Sequence, residues 1–194
     1  MILKSQNSLG DRWFSLTMIE GFFKTSANLK NISRQGWIDK LSLSNPESVA
    51  DHTFSMAVIG MVISDLENIN SEKVIKMILL HDLAESKIGD IVPDQMKIEE
   101  KQRLENSAFE EIVKTLPKSI ESNYVGIWKE YQENNSIESQ IVHQIDKLEM
   151  ALQAKIYQSQ GHSKEKLEPF FESAKSSITH PKLKELFTKL VDEK

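Results

Sequence analysis

The chain has 194 residues, with 24 Lys and Arg against 29 Asp and Glu, which gives a formal net charge of −5 at pH 7. This length predicts a single domain, 1–194, because domains typically contain roughly 100–200 residues. A hydrophobic content of 39% and a charged content of 27% are typical of a folded, soluble protein and exclude wholesale disorder. The lack of cysteine excludes a disulfide framework, a thiol nucleophile and a Cys-ligated metal.

Charge and hydropathy also limit the partners and the location. The acidic balance argues against a nucleic-acid polymer as partner, because such binding needs clustered positive charge. The most apolar run, Phe54 to Ile63, is far shorter than the roughly 20 residues that a membrane helix needs. The segment Met1 to Asp11 is polar and lacks the apolar core of a signal peptide. We therefore expect a cytoplasmic protein with no membrane partner.

The first predicted elements are three helices separated by one irregular segment. Apolar residues at 3–4 spacing predict a helix over Arg12–Ala27, and Asn28–Ser44 is expected to be irregular. Asn45-Pro46-Glu47 is a helix start signal and predicts a helix from Pro46 to about Leu66. The next predicted helix runs from Asn70-Ser71 to about Lys87, where Gly89 can end it. Its apolar residues cover most of its circumference, so we expect a central, buried helix.

The rest of the chain is also predicted to be helical. The predicted helices are Lys97–Leu116, Pro117–Gln132, Ile137–Gln160, Leu167–Ser177 and Lys182–Asp192. The charged run Lys97–Arg103 is interpreted as a solvated helix face with i,i+4 pairs. No alternating run is long enough for a sheet. The sequence therefore predicts an all-α single-domain helical bundle.

The segment His81-Asp82-Leu83-Ala84-Glu85 places three polar side chains in an otherwise apolar predicted helix. At about 100° per residue, His81, Asp82 and Glu85 fall within one arc of about 100°. Burying two carboxylates and an imidazole without compensation is unfavourable by several kcal/mol, so a divalent metal ion is a simple neutralising partner. The alternative is a helix end that reaches solvent, with His81 bonded to a neighbour.

Two further polar residues fall on predicted helices with apolar faces. His52 lies in the first turns of the preceding helix, and Asp146 lies in the middle of the long helix that begins at Ile137. Side chains from facing helices of a bundle can converge on one ion. Two imidazoles and two carboxylates suit one divalent ion (Mn, Co, Fe, Zn or Mg) with positions left for water. Taken singly, His52 is also explained as a cap or core residue, and Asp146 as the partner of a lysine.

The order His, His-Asp, Asp in helical surroundings resembles the HD-domain metal-dependent phosphohydrolases. Four motifs have the order and near-spacing of the HD-domain 5′-deoxynucleotidases: Arg34-x-x-Trp37, Glu47-Ser48-Val49-x-Asp51-His52, His81-Asp82-x-x-Glu85 and Gly89-Asp90-Ile91. The resemblance continues through Lys97–Lys101 and Glu149–Ala154 and covers roughly Leu29–His180. It implies an HD-type bundle that removes phosphate from deoxyribonucleoside 5′-monophosphates, and it implies a homodimer.

The resemblance also implies roles for individual residues. The implied ligands of one divalent metal ion are His52, His81, Asp82 and Asp146. Glu85 is similar to the acidic residue that handles the attacking water, and Asp90 to a second acidic residue near the sugar and the reacting phosphate. Arg34 and Trp37 resemble the contacts to the phosphate and to the deoxyribose.

On the substrate side the chain departs from the family pattern. Gly36 directly precedes Trp37, where some members have the arginine, and Arg34 lies three residues before the Trp. The segment from Trp37 to His52 is also one residue longer than expected. The alternatives for these two residues are a loop anchor in the core for Trp37 and a surface position for Arg34.

The sequence thus favours a hydrolase that uses metal-activated water without a covalent intermediate. The alternatives are an HD phosphohydrolase acting on another nucleotide, such as a triphosphate or cyclic nucleotide, and a non-catalytic regulator that binds a nucleotide or metal. A purely structural helical module is a third alternative, but it leaves Asp82 and Asp146 without a partner for their charge.

Overall fold

The computed structural model describes residues 19–92 and 95–192. Residues 19–27 are helical and are called α1; the helix predicted over Arg12–Ala27 is confirmed over this part, and residues 12–18 lie outside the described residues. The other helices are α2 (Gln35–Leu41), α3 (Val49–Glu67), α4 (Ser71–His81), α5 (Glu85–Ile88), α6 (Ile98–Val113), α7 (Lys118–Glu133), α8 (Ile137–Ser159), α9 (Lys164–Ser177) and α10 (Pro181–Asp192). Within the described ranges no strand forms, so the all-α prediction is confirmed.

The segment expected to be irregular contains two helical elements. A 3₁₀ helix spans Asn28–Asn31, and α2 follows at Gln35–Leu41. The first backbone N–H of α2, from Gln35, donates to Asp90 Oδ2 at 2.7 Å. Since this acceptor comes from 55 residues further along the chain, nothing in the local sequence indicates that a helix starts here. The prediction of an irregular segment was therefore wrong.

Helix α3 begins at Val49, three residues after the predicted start at Pro46. Ser48 is its N-cap and forms a capping box with Asp51, so each side chain accepts a backbone N–H of the other residue. Glu47, which precedes Ser48, is paired with an extended segment of the chain, because the N–H of Arg34 donates to the carbonyl of Glu47 at 3.1 Å. This pairing keeps the first residues after the Asn-Pro turn outside the helix.

Helix α4 ends at His81, well before the predicted end. The Nδ1 of His81 bonds the carbonyl of Ile78 at 2.6 Å and competes with the backbone for that acceptor. Asp82 then leaves the helix with φ −108° and ψ 12°, and the chain resumes as α5 at Glu85–Ile88. Gly89 ends α5 with φ +79°, a conformation that favours glycine.

The core is formed mainly by α3, α4 and α8, which contact one another, while α9 and α10 cover α8. The predicted central position of α4 is confirmed for four of its apolar residues, which are buried: Val74, Met77, Ile78 and Leu80. Leu79, on the outer side of α4, is 51% exposed. Gly60 allows α3 to approach α4 closely, because a Cβ at this position would collide with Ile78.

The remaining helices agree with the prediction to within a few residues. The largest differences are three residues: α6 ends at Val113 instead of Leu116, and α9 begins at Lys164 instead of Leu167.

The expectation that no segment is long enough to span a membrane needs one qualification. By length and composition alone α3 could cross a membrane, and 39% of its apolar stretch is buried in the structure. Core helices of soluble proteins can have the same length and composition.

Candidate metal centre and substrate cleft

The start of α3, the end of α4 and the middle of α8 bring together the four residues that the resemblance implies as metal ligands. His52 Nε2 lies 3.3 Å from Asp146 Oδ1 and 3.9 Å from Asp82 Oδ2. His81 Nε2 lies 3.0 Å from the same Asp82 oxygen. The ligand atoms of His52, His81 and Asp146 all lie within 4.8 Å of one another. The structure therefore supports the predicted convergence of residues that are distant in sequence.

Both imidazoles are oriented through Nδ1, which leaves Nε2 directed at the cluster. His52 Nδ1 bonds Glu149 Oε2 at 2.5 Å, and His81 Nδ1 donates to the carbonyl of Ile78, which can only accept. The two Nε2 atoms and Asp82 Oδ2 are buried and have no hydrogen-bond partner among the described residues. An outer acceptor that fixes the tautomer of a histidine is the usual arrangement at metal sites. The residues therefore fit a divalent cation.

The two aspartates of the cluster are held in their charged form. Burial acts to raise the pKa of Asp82, but the charge and close contact of His81 and the charge of Arg34 outweigh it and hold the pKa well below its usual range. Burial acts in the same way on Asp146, where Lys147 is the largest opposing influence, and the pKa is again well below its usual range. Oxygen ligands for a hard cation must be ionised in this way.

His52 lies in the most acidic part of the site. Burial and the charge of Arg34 act to lower its pKa, but the close contact with Asp146 and the hydrogen bond with Glu149 raise it to about 9. The alternative role of Asp146 as a lysine partner is also observed, since its Oδ2 lies 3.0 Å from Lys147 Nζ. Its other oxygen faces His52, so the ion pair and the metal cluster are compatible.

A second acidic cluster lies on the far side of the His52 ring. Ligand atoms of Glu47, His52 and Glu149 lie within 4.8 Å of one another. Their oxygens already have donors, because Trp37 Nε1 donates to Glu47 Oε1 at 2.8 Å and His52 bonds Glu149. Burial, and then the charge of Glu149, raise the pKa of Glu47 to about 7. This pair therefore orients Trp37 and His52, a role that the sequence analysis did not assign to either glutamate.

A cleft of about 570 Å³ opens beside the metal cluster. It is lined by every predicted site residue except the fully buried His52: Arg34, Trp37, His81, Asp82, Glu85, Asp90 and Asp146. The guanidinium of Arg34 points to the cluster, with Nη1 3.5 Å from Asp82 Oδ2. Its side chain is only 16% exposed, so Arg34 is part of the cleft wall and is not a surface residue.

Glu85 is a buried carboxyl in the wall of the cleft, and one of its oxygens has no partner among the described residues. The residue is 3% exposed, and its Oε2 has no hydrogen-bond partner among the described residues. Burial raises its pKa well above the ordinary value, and the charges of Asp82 and Asp90 raise it further, while Arg34 acts in the opposite direction. A carboxyl in this environment can hold or accept a proton near neutral pH.

Trp37 is almost completely enclosed, with 1% exposure. Its ring contacts Tyr157 edge-on at a centroid distance of 5.1 Å, and Phe170 lies over it at 4.1 Å. This burial supports the alternative of a loop anchor, although one part of Trp37 reaches the cleft wall. The contact with deoxyribose stays a prediction.

Two further cleft residues were not identified from the sequence. Lys101 was interpreted as part of a solvated face, but its Nζ donates to the carbonyl of Ile91 at 2.7 Å and lies at the cleft. Tyr131 contacts His81 edge-on at a centroid distance of 5.8 Å and stacks on His143 at 4.2 Å. These contacts depend on how the chain folds back between one element and another, which helical periodicity does not indicate.

In this all-α bundle, two histidines and two aspartates from three helices converge at one point. This arrangement is typical of helical proteins that bind a divalent cation between their helices. The family described as HD domain matches residues 26–186. The protein named 5′-deoxynucleotidase HDDC2 from Dictyostelium discoideum is 38% identical over 184 residues, covering 89% of this chain and 96% of that protein. The human protein of the same name is 36% identical, covering 89% of this chain and 84% of its own.

Solved structures agree with this likeness. The crystal structure of the PH0347 protein from Pyrococcus horikoshii has 34% sequence identity and a TM-score of 0.73, covering 89% of this chain and 97% of that chain. The matched family, the sequence relatives and this fold lead to one conclusion. The chain belongs to the HD domain family, whose fold supplies the residues of a metal-dependent phosphohydrolase.

The capping contact of Asp90 predicts a measurable loss of stability. Asp90→Ala removes the acceptor for the first N–H of α2, so we expect the free energy of unfolding to fall by about 1 kcal/mol, as for a lost N-cap. Asp90→Asn keeps an acceptor oxygen and should unfold close to the wild type. Urea denaturation followed by circular dichroism measures both variants. An Asp90→Ala protein as stable as the wild type would show that this bond contributes nothing.

Proposed function

We propose that this protein is a 5′-deoxynucleotidase that hydrolyses deoxyribonucleoside 5′-monophosphates to the deoxyribonucleoside and phosphate. Relatives of that name, at 36–38% identity over 89% of the chain, support the activity. The observation that carries the proposal is the cluster itself: the Nε2 atoms of His52 and His81 and the carboxylates of Asp82 and Asp146 meet at the wall of a cleft. The ion is divalent, and Mn, Co, Mg, Zn and Fe are all compatible with these ligand types.

In this proposal His52, His81, Asp82 and Asp146 hold one divalent cation. When bound, the cation neutralises phosphate charge and lowers the pKa of a water molecule toward neutrality. The protein contributes the orientation of the ligands, because Glu149 and the Ile78 carbonyl fix both histidine rings before a ligand arrives.

Arg34 is the phosphate-binding residue of this proposal. Its guanidinium is a planar fork of donors that matches the oxygens of a phosphate, and it lies beside Asp82 in the cleft wall. Burial acts to lower its pKa, but the charges of Asp82, Asp146 and Asp90 raise it well above the usual range, so the side chain stays charged. It therefore brings a permanent positive charge to a site surrounded by carboxylates.

Glu85 is assigned the proton transfer. Hydrolysis forms a bond from a water oxygen to phosphorus and breaks the bond between phosphorus and O5′, and the departing O5′ must receive a proton. The raised pKa of Glu85 and its free Oε2 suit a group that accepts the water proton and returns it to O5′. Asp90 would lie near the sugar and phosphate, where its bond to α2 fixes its position.

Trp37 is the proposed steric boundary for the sugar. The rings around it and its bond to Glu47 hold the indole rigidly, and a rigid wall next to C2′ can exclude a ribose hydroxyl. This selectivity distinguishes the proposal from its closest alternative, an HD phosphohydrolase for other nucleotides.

Phosphate release from deoxynucleotides tests the activity and the role of Glu85. The wild-type protein with Mn, Co or Mg should release phosphate from deoxyribonucleoside monophosphates faster than from ribonucleoside monophosphates, triphosphates or cyclic nucleotides. Glu85→Gln should lower kcat by about 10²- to 10⁴-fold, because it removes general acid–base catalysis. Metal content, measured by elemental analysis, should be unchanged.

Glu99→Gln is the matched control, because Glu99 is exposed on α6 outside the cleft, and its kcat should equal that of the wild type. Equal turnover of ribonucleotides would contradict the deoxy selectivity. Loss of metal in Glu85→Gln would make Glu85 a ligand. Substrate binding without phosphate release would identify a regulator instead of an enzyme.

We propose in addition that the protein is a homodimer that uses the outer face of α3. Five apolar side chains on this face are 45–71% exposed: Phe54, Val58, Met61, Val62 and Leu66. Exposed apolar stripes of this kind mark interaction surfaces. In light scattering coupled to size exclusion, Val62→Glu should convert the dimer to a monomer, while Leu186→Glu on α10, an exposed position outside this face, should leave the dimer intact. A monomeric wild type would contradict the proposal.

A cytoplasmic location is proposed as well. The lack of cysteine is consistent with a reducing compartment, and the cellular pool of deoxyribonucleoside monophosphates would be accessible there. Fractionation of the cells that produce the protein should recover it with the cytoplasmic markers. Recovery with membranes or in an exported fraction would contradict this location.

A further inference from the structure

Two aromatic rings of the cleft have no role in the proposal above: Tyr131, which packs against His81 and His143, and Phe170. Phe170 on α9 is half-buried and lines the cleft. It lies over Trp37 with a centroid distance of 4.1 Å and an angle of 31° between the ring planes. Because Trp37 itself is 1% exposed, the aromatic surface available to a ligand on the Trp37 side of the cleft belongs mainly to Phe170.

The surroundings of Phe170 leave this ring accessible. Gly36, at the point where the chain departs from the family pattern, has no side chain, and a Cβ there would lie 3.7 Å from Phe170 Cε1. Pro169 and Ser173, which precede and follow Phe170 on α9, also line the cleft. A residue without a side chain on one side and α9 on the other thus frame this half-buried ring, which we call the platform.

Contacts and cleft position place this platform next to the proposed sugar wall. Phe170 lies over Trp37, and both residues line the same cleft as Arg34, Asp82 and Asp146. In a 5′-nucleotide the base follows directly on the sugar, so an aromatic ring next to the sugar wall lies where the base can reach it.

We propose that Phe170 is the binding residue on which the nucleobase of the substrate stacks. This inference rests on the proposed 5′-deoxynucleotidase function and adds the part of the substrate that it leaves unassigned. Stacking of a base on an aromatic ring tolerates any base, because every base has a π face. The platform therefore predicts a broad base tolerance, with affinity supplied by the ring and not by hydrogen bonds to base edges.

The test compares substrates with and without a base. Phe170→Ala should raise KM for deoxyadenosine monophosphate by roughly tenfold or more, the effect expected from removing one base–aromatic stack. KM for 2-deoxyribose 5-phosphate, which has the same phosphate and sugar but no base, should change less than twofold. Phe170→Leu keeps the packing on Trp37 but lacks a π face and should show the same selective loss. Phe170→Tyr should restore KM, and thermal unfolding should confirm that all three variants fold.

Binding of deoxyadenosine, the expected product, provides a readout independent of turnover. Calorimetry should show affinity weakened roughly tenfold or more in Phe170→Leu and retained in Phe170→Tyr, even if no phosphate release is detected from any substrate. Gln102→Ala, on α6 in another part of the cleft, is the control and should change neither KM nor affinity. Equal effects on the substrates with and without a base, no effect of Phe170→Leu, or a selective loss in Gln102→Ala would overturn the proposal.

Discussion

Two buried histidines and two largely buried aspartates, which converge where three helices meet, are the constraint on which the rest of the structure depends. The outer nitrogens of His52 and His81 are already bonded, so their inner nitrogens face the carboxylates of Asp146 and Asp82. Such a cluster is unfavourable unless positive charge is placed within it. Arg34 and Lys147 provide part of that charge from the edge, and a divalent cation would provide the rest at the centre.

The same constraint shapes the chain around the cluster. His81 takes the carbonyl that would continue α4, so the helix ends there and Asp82 turns toward the site. The substrate side is attached by long-range hydrogen bonds, from Gln35 to Asp90 and from Trp37 to Glu47. Metal centre and substrate wall are therefore parts of one bonded framework, in which orientation is established before a ligand binds.

Most of the helices and the convergence of the metal-site residues could be predicted from the sequence. Helical periodicity is visible in short segments, and the His, His-Asp, Asp order can be seen along the chain. The helix over Ile137–Gln160 and the meeting of His52 with Asp146 are examples. The prediction of one continuous helix to Lys87 was wrong, because hydrophobic periodicity gives no indication of a side chain that competes for a backbone carbonyl. The position of α2 depends on an acceptor 55 residues away, and the pairing of glutamates with Trp37 and His52 depends on tertiary contacts. Local patterns contain neither.

The most direct test is an anomalous difference map from crystals of the protein grown with Mn²⁺. The account predicts one strong peak within bonding distance of the Nε2 atoms of His52 and His81 and of carboxylate oxygens of Asp82 and Asp146, and loss of that peak in Asp146→Ala. A well-ordered map with no peak between these four side chains, or with manganese held by other residues, would contradict it.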